Sequence, residues 1–272
     1  MVETIKQEWQ AKVAIVFFVI CSVWWIVIYP YSGQSSFANY IFAGIYGLMA
    51  LWGGFWGIRI GMKWGGFKSI IGKAILFLSL GLLAEEFGQI VFTSYYFVLN
   101  VAVPYPSLAD VGFFGNIPLY ILGITFLTKA AGSQFILRKL HGKLLALLLP
   151  VVLLVVSYYV FLQGYEFDWS NSLQVFLDFG YPLGQAIYIS IALLTYLLSR
   201  NMLGGIMRSK ILFIVVAFVI QYISDYNFLL HNSRGTWVNG AYGDYLYFLA
   251  YFFMTIGILQ LLTVYKHLYH KE

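Results

Sequence analysis

The side chains best placed to do chemistry are acids lying inside long apolar runs. Glu85, Glu86, Asp178 and Asp225 sit well within such runs, and Asp110 and Asp244 lie near the start of two others. A charge at the centre of a membrane helix costs about 2.5 to 3.5 kcal/mol, so each acid needs a proton, a partner or a watered cavity. No Lys or Arg occurs at comparable depth, which removes ordinary ion pairing. The chemistry left open is binding of a cation or polar molecule, proton exchange, or a polar network that fixes helix packing. Helical spacing groups the candidates. Glu85 and Gln89 share a face, as do Asp178, Tyr181 and Gln185, then Gln221 and Asp225, then Asp244, Tyr247 and Tyr251. Four helices therefore carry a polar stripe, and their convergence on one outward-facing pocket follows from the cost of turning such stripes to lipid.

Local structure offers competing uses for some of these groups. Ser107 and Asp110 match the S-x-x-D capping box that opens a helix. Asp244, after Asn239, Gly240 and Gly243, falls in a first turn where the helix dipole favours a carboxylate. Glu85 and Glu86 are neighbours and point about 100° apart, so one can face the pocket while the other is neutral or bonded to another helix.

Other chemistry is weakly signalled. The chain has no HExxH, no GxSxG, no glycine-rich phosphate loop and no lysine within the last span. Ser224 and His231 lie seven apart, but a serine on a membrane helix usually bonds to nearby backbone. His267 and His270 have the spacing of a surface metal site and read as solvated tail residues, and His141 lies in a basic loop. Neither catalytic residues nor a metal site are expected, and no cofactor is indicated.

The elements that must position these groups follow from composition. Of 272 residues, 61% are hydrophobic, 20% aromatic and only 10% charged, too few charges to cover a water-facing surface. A soluble enzyme, a nucleic-acid binder and a disordered chain are excluded on that ground, and an all-α membrane bundle with the lipid bilayer as its partner is expected. The lone Cys21 leaves no intramolecular disulfide and reads as a small buried hydrophobe. Eight apolar stretches approach the roughly 20 residues a crossing needs, at 12–30, 37–60, 69–97, 107–129, 143–163, 171–199, 209–231 and 241–266. The first lacks a small-residue cleavage site and reads as a retained span.

Cations decide the expected orientation, because they are held on the cytoplasmic side. With eight spans, Lys6, Lys12, Arg59, Lys63, Lys68, Lys73, Lys129, Arg138, Lys139, Lys143, Arg200, Arg208, Lys210, Lys266 and Lys271 share a side with both termini, and Arg234 stands alone opposite. Both termini are thus expected in the cytoplasm, in a multi-pass inner-membrane protein. Within the second span Gly53, Gly57, Gly61 and Gly65 form a smooth ridge for intramolecular packing, or alternatively for a homodimer seam. Pro118, Pro150 and Pro182 fall in or near spans, where each can kink its helix. Trp24, Trp25, Trp169 and Trp237 fit an interfacial belt.

The segment LGLLAEEFGQIVFTSYYFVLNVAVPYPSLADVGFFGNIPLYILG resembles the membrane-sensor region at the N terminus of many bacterial diguanylate cyclases (GGDEF proteins) and some sensor kinases. The family's P-x-P-S-x-A-D pattern is matched by Pro104, Pro106, Ser107, Ala109 and Asp110, and its Y-P-L-G-D helix by Tyr181, Pro182, Leu183 and Gly184, with Gln185 in place of the acid. Asp225 and Asp244 match one aspartate in each of its final two helices, so the resemblance spans residues 69–266. It implies a sensor that signals by helix rearrangement; because the sequence ends at KHLYHKE where family members continue into an output domain, the expectation is either a stand-alone sensor acting on a cytoplasmic signalling partner or a sensor separated from its output. An eight-span lipid-acting hydrolase similar to the lysoplasmalogenase-like proteins, which carry an S-D pair like Ser224 and Asp225, is the second expectation. A proton- or cation-coupled transporter is the third, although no inverted repeat or interrupted helix pair is evident.

Overall fold

The computed structural model describes residues 4, 7–29, 36–130, 140–159, 163–164, 166–198 and 206–269. Among them Lys6, Arg138, Lys139, Arg200 and Lys271, and the tail residue His270, are not included. Every regular element is helical: α1 Trp9–Ile28, α2 Phe37–Ile45, α3 Leu48–Lys63, a 3-10 turn Gly66–Lys68, α4 Ile70–Phe97, α5 Ala109–Ala130, α6 Leu140–Ser157, α7 Ser172–Leu198, α8 Ile206–Ser233 and α9 Tyr242–Tyr269. Among the described residues seven crossings have the length and apolarity to span a bilayer, with α2 and α3 together making one of them. The stretch expected at 143–163 forms α6, whose continuous apolar helix among the described residues is the shorter Leu148–Ser157.

Neighbour packing runs from α3 to α4, α5, α7, α8 and α9 and back to α3, closing a ring of six helices. Helix α9 is the most enclosed, with 83% of its apolar window buried, whereas α1 lies outside the ring against α9 and is only 22% buried. That difference is written in the residues. Helix α1 turns Val16, Val19, Ile20, Val23 and Ile26 outward, and α6, packed on α7, does the same with Val151, Val152 and Val155. Such faces suit lipid and would be untenable in water.

The glycine ridge is used within the chain. A methyl group at Gly53 would strike Thr255 of α9, one at Gly57 would strike Ser79 of α4, and one at Gly61 would strike Leu76. A homodimer seam along these three would have to displace α4 and α9. Gly65 lies past the helix end with φ of 94°, in the turn leading to α4.

Where one continuous second span was expected, the helix breaks at Tyr46–Gly47. The break has a partner that explains it. Gln89 of α4 donates from Nε2 to the carbonyl of Ala43 at 2.7 Å, supplying a donor at the end of α2. Pro118, Pro150 and Pro182 lie inside α5, α6 and α7.

The helix ends sort the charges. Lys12, Lys63, Lys73, Lys129, Arg208, Lys210 and Lys266 cluster toward one end of the bundle, where Lys266 pairs with Glu8 at 2.8 Å, and Arg234 lies at the other. The acids of interest gather toward the Arg234 end.

Candidate functional site

At that end the ring opens into a hollow with about 70 Å³ available to the centres of water-sized spheres, enough for several waters or one compact ligand. Its wall combines polar groups from five helices with two loops. Helix α4 contributes Gln89, α5 Asp110, α7 Tyr181, α8 Asp225, and α9 Asp244, Tyr247 and Tyr251. The connection before α5 adds Val103, Pro104 and Tyr105, and the α8–α9 loop adds Trp237. Among the described residues no Lys, Arg or His lines it.

Each carboxylate is held by neutral donors. The Asp225 Oδ1 accepts from the Tyr247 hydroxyl at 2.6 Å, its Oδ2 accepts from Gln185 Nε2, and Gln221 Nε2 approaches both oxygens at 3.3 to 3.4 Å. Three neutral donors from three side chains thus hold this one carboxylate in place. Asp110 Oδ1 accepts from Tyr181 at 2.8 Å, and its Oδ2 accepts from the Ser107 backbone N–H at 2.7 Å. The latter is the expected return half of the capping box. Ser107 Oγ meets Ala109 N–H at 3.2 Å instead of the amide of residue 110. Asp244 accepts from the Gly240 N–H at 2.5 Å, so its local role at the head of α9 and its place in the hollow coexist.

Four predicted residues lie one bond behind the wall. Asp178 accepts from the Tyr105 hydroxyl at 2.8 Å, and Gln185 and Gln221 brace Asp225. Glu85, fully buried, accepts from Asn116 Nδ2 of α5 and from the Tyr251 hydroxyl at 3.1 Å. Through Tyr251 the mid-bundle acid is linked to the hollow above it.

Glu86 is the exception among the predicted set. It turns toward the break between α2 and α3, where a methyl group on Gly47 would lie 2.2 Å from its Oε2. That oxygen is buried without a hydrogen-bond partner. The two adjacent glutamates therefore serve different places, as their angular separation requires.

Several residues in the wall or directly behind it carry no strong sequence signal. Tyr46, at the break, donates to Gln89 Oε1 at 2.8 Å, so Gln89 joins the hollow to the end of α2. Asn116 is a lone amide in an apolar span, and its position one turn after Gly112 was the available clue. Trp237, expected in an interfacial belt, stands in the wall with Phe228 packed on it at 5.0 Å. Trp25 donates to the Ala241 carbonyl at 3.3 Å, and Trp169 is largely exposed, both in keeping with the belt reading.

The serine–histidine pairing does not form. Ser224 donates to the Ile220 carbonyl at 2.8 Å, and His231 Nδ1 meets Thr236 Oγ1 at 2.8 Å. Among the described residues no group of three His, Cys, Asp or Glu side chains is disposed to hold a metal ion. No protein-family model, no curated protein and no solved structure matches the chain significantly.

Proposed function

We propose that this is an integral membrane sensor module whose hollow binds a small cationic or polar molecule and transmits its occupancy through helix rearrangement to a cytoplasmic partner. The observation that carries the reading is the gathering of Asp110, Asp225 and Asp244 from three helices around one void with no basic residue in its wall among the described residues. A ligand there bridges three helices, and one that fits one arrangement of them better than another shifts their packing toward it. The likeness of residues 69–266 to membrane-sensor regions supports the same reading.

In this proposal α6 is an eighth crossing, the hollow faces outward across the inner membrane, and both termini lie in the cytoplasm. The cation distribution supports that orientation. Purified protein screened for thermal stabilisation by amines, metal ions and neutral polar solutes tests it: a saturating ligand at 100 times its Kd adds about 2.7 kcal/mol. Stabilisation that Asp225→Asn abolishes is the expected result. Absence of any stabilising solute in a broad screen refutes the reading.

One observation favours a second reading. Glu85 lies beneath the hollow and connects to it through Tyr251, as a proton-coupled transporter would require. Proton-dependent flux in liposomes, abolished by Glu85→Gln, would establish it in place of sensing. The lipid-hydrolase alternative gains nothing from Ser224, whose hydroxyl is committed to its own helix.

A further inference from the structure

We infer that the ligand class of this hollow is a compact organic ammonium carrying an aromatic or other flat apolar body, in preference to a metal ion or a neutral polar solute. The inference deepens the sensor proposal and rests on its ligand-binding half. Charge gives the first constraint, because three carboxylates and no basic group stand in the wall.

The manner in which those carboxylates are held gives the second. Tyr181, Tyr247 and the Gly240 amide each occupy an oxygen of Asp110, Asp225 and Asp244 respectively, which pins each group to its own helix or neighbour. A calcium ion needs six to eight oxygens at about 2.3 to 2.6 Å, which calls for carboxylates free to converge. No such convergence occurs among the described residues. An ammonium asks less, because its N–H groups can each reach a different acceptor at hydrogen-bond length.

Aromatic rings supply the third constraint. Phe228 packs edge-on to Trp237 at 5.0 Å, with Phe92 at 6.4 Å and Tyr105 at 6.5 Å from it, and all four line the hollow. Aromatic faces attract a cation and accept an apolar body, whereas they reward a hydrated metal ion poorly. The available space is that of about five to seven waters, which suits a compact molecule.

The test uses the full chain in detergent micelles, with 2-phenylethylamine as probe and 2-phenylethanol, 3-phenylpropionate and calcium as comparators, read by titration calorimetry. The amine is expected to bind saturably, about tenfold or more tighter than the alcohol. Asp225→Asn should weaken the amine by a similar factor and leave the alcohol unchanged, and Trp237→Leu should weaken it severalfold. Should Asp225→Asn fail to fold, the amine-to-alcohol ratio on the unaltered chain decides alone. Equal binding of the alcohol, or preference for phenylpropionate or calcium, overturns the ammonium assignment while leaving the hollow a ligand site. Binding of none of the four also overturns it, and the sensor proposal falls separately, only if the wider solute screen is negative.

Discussion

Helices α4 and α5 meet so closely at Gly112 that one methyl group there should measure how rigidly the site is framed. A Cβ at this position would lie 2.4 Å from the Ala84 carbonyl oxygen and the Gly88 nitrogen, and 2.8 Å from the Gly88 Cα. All three are backbone atoms, so no rotamer change relieves the contact. Reaching ordinary contact at 3.4 Å requires the helices to part by about 1 Å. Overpacking of that kind costs about 1 to 3 kcal/mol, and the backbone character of the clash places Gly112→Ala at the upper end. The same displacement strains the bond between Asn116, one turn further along, and Glu85. Gly115→Ala is the matched control, since no heavy atom lies within 4 Å of its added methyl. Alanine in a helix interior gains up to about 1 kcal/mol over glycine, so this variant should be neutral or stabilised. Equilibrium unfolding of both variants in mixed micelles gives the comparison. A wild-type transition for Gly112→Ala, or an equal loss for Gly115→Ala, would refute the packing argument.

Three further outcomes are expected. Gly47→Ala should destabilise the protein through its approach to Glu86 Oε2 and Gln89 Cγ, and adding Glu86→Ala should recover part of the loss by removing the nearer obstacle; a double variant no better than the single one would refute the contact with Glu86. Tyr247→Phe removes one of the Asp225 donors and should cost about 1.5 to 3 kcal/mol in the same unfolding assay, with an unaltered midpoint counting against that bond. In the loop before α7, hydrogen bonds from the Ser170 hydroxyl at 2.5 Å and its N–H at 3.0 Å hold the Asp168 carboxyl below its ordinary value of 3.8. A depressed value means the turn's stabilisation is present above pH 3.8 and fades as pH falls through the folded-state value; the protection of the Ser170 amide, its exchange relative to an unstructured peptide at the same pH, should fall only under that acid condition, and unchanged protection would exclude the link.

The polar stripes were legible because helical spacing alone aligns Glu85 with Gln89 and Asp244 with Tyr247 and Tyr251. All four stripes do meet at one hollow, and the transverse packing of the glycine ridge also follows from residue size. What escaped depended on distant partners. The segment FANYIFAGIYGLMALWGG contains no proline, and its interruption at Tyr46–Gly47 coincides with a side chain 46 residues from Ala43 reaching that carbonyl. Likewise Asn116 gains meaning only from Glu85 on a neighbouring helix, and Trp237 only from the fold of its loop over the ring.

Because the second crossing is divided, its two parts answer to different neighbours. The longer part, α3, is wedged between α4 and α9 by methyl-free contacts. The nine-residue part, α2, ends beside Tyr46, where the cavity begins. Whatever meets that phenol therefore meets the seam between the two parts, at the same amide of Gln89 that closes α2.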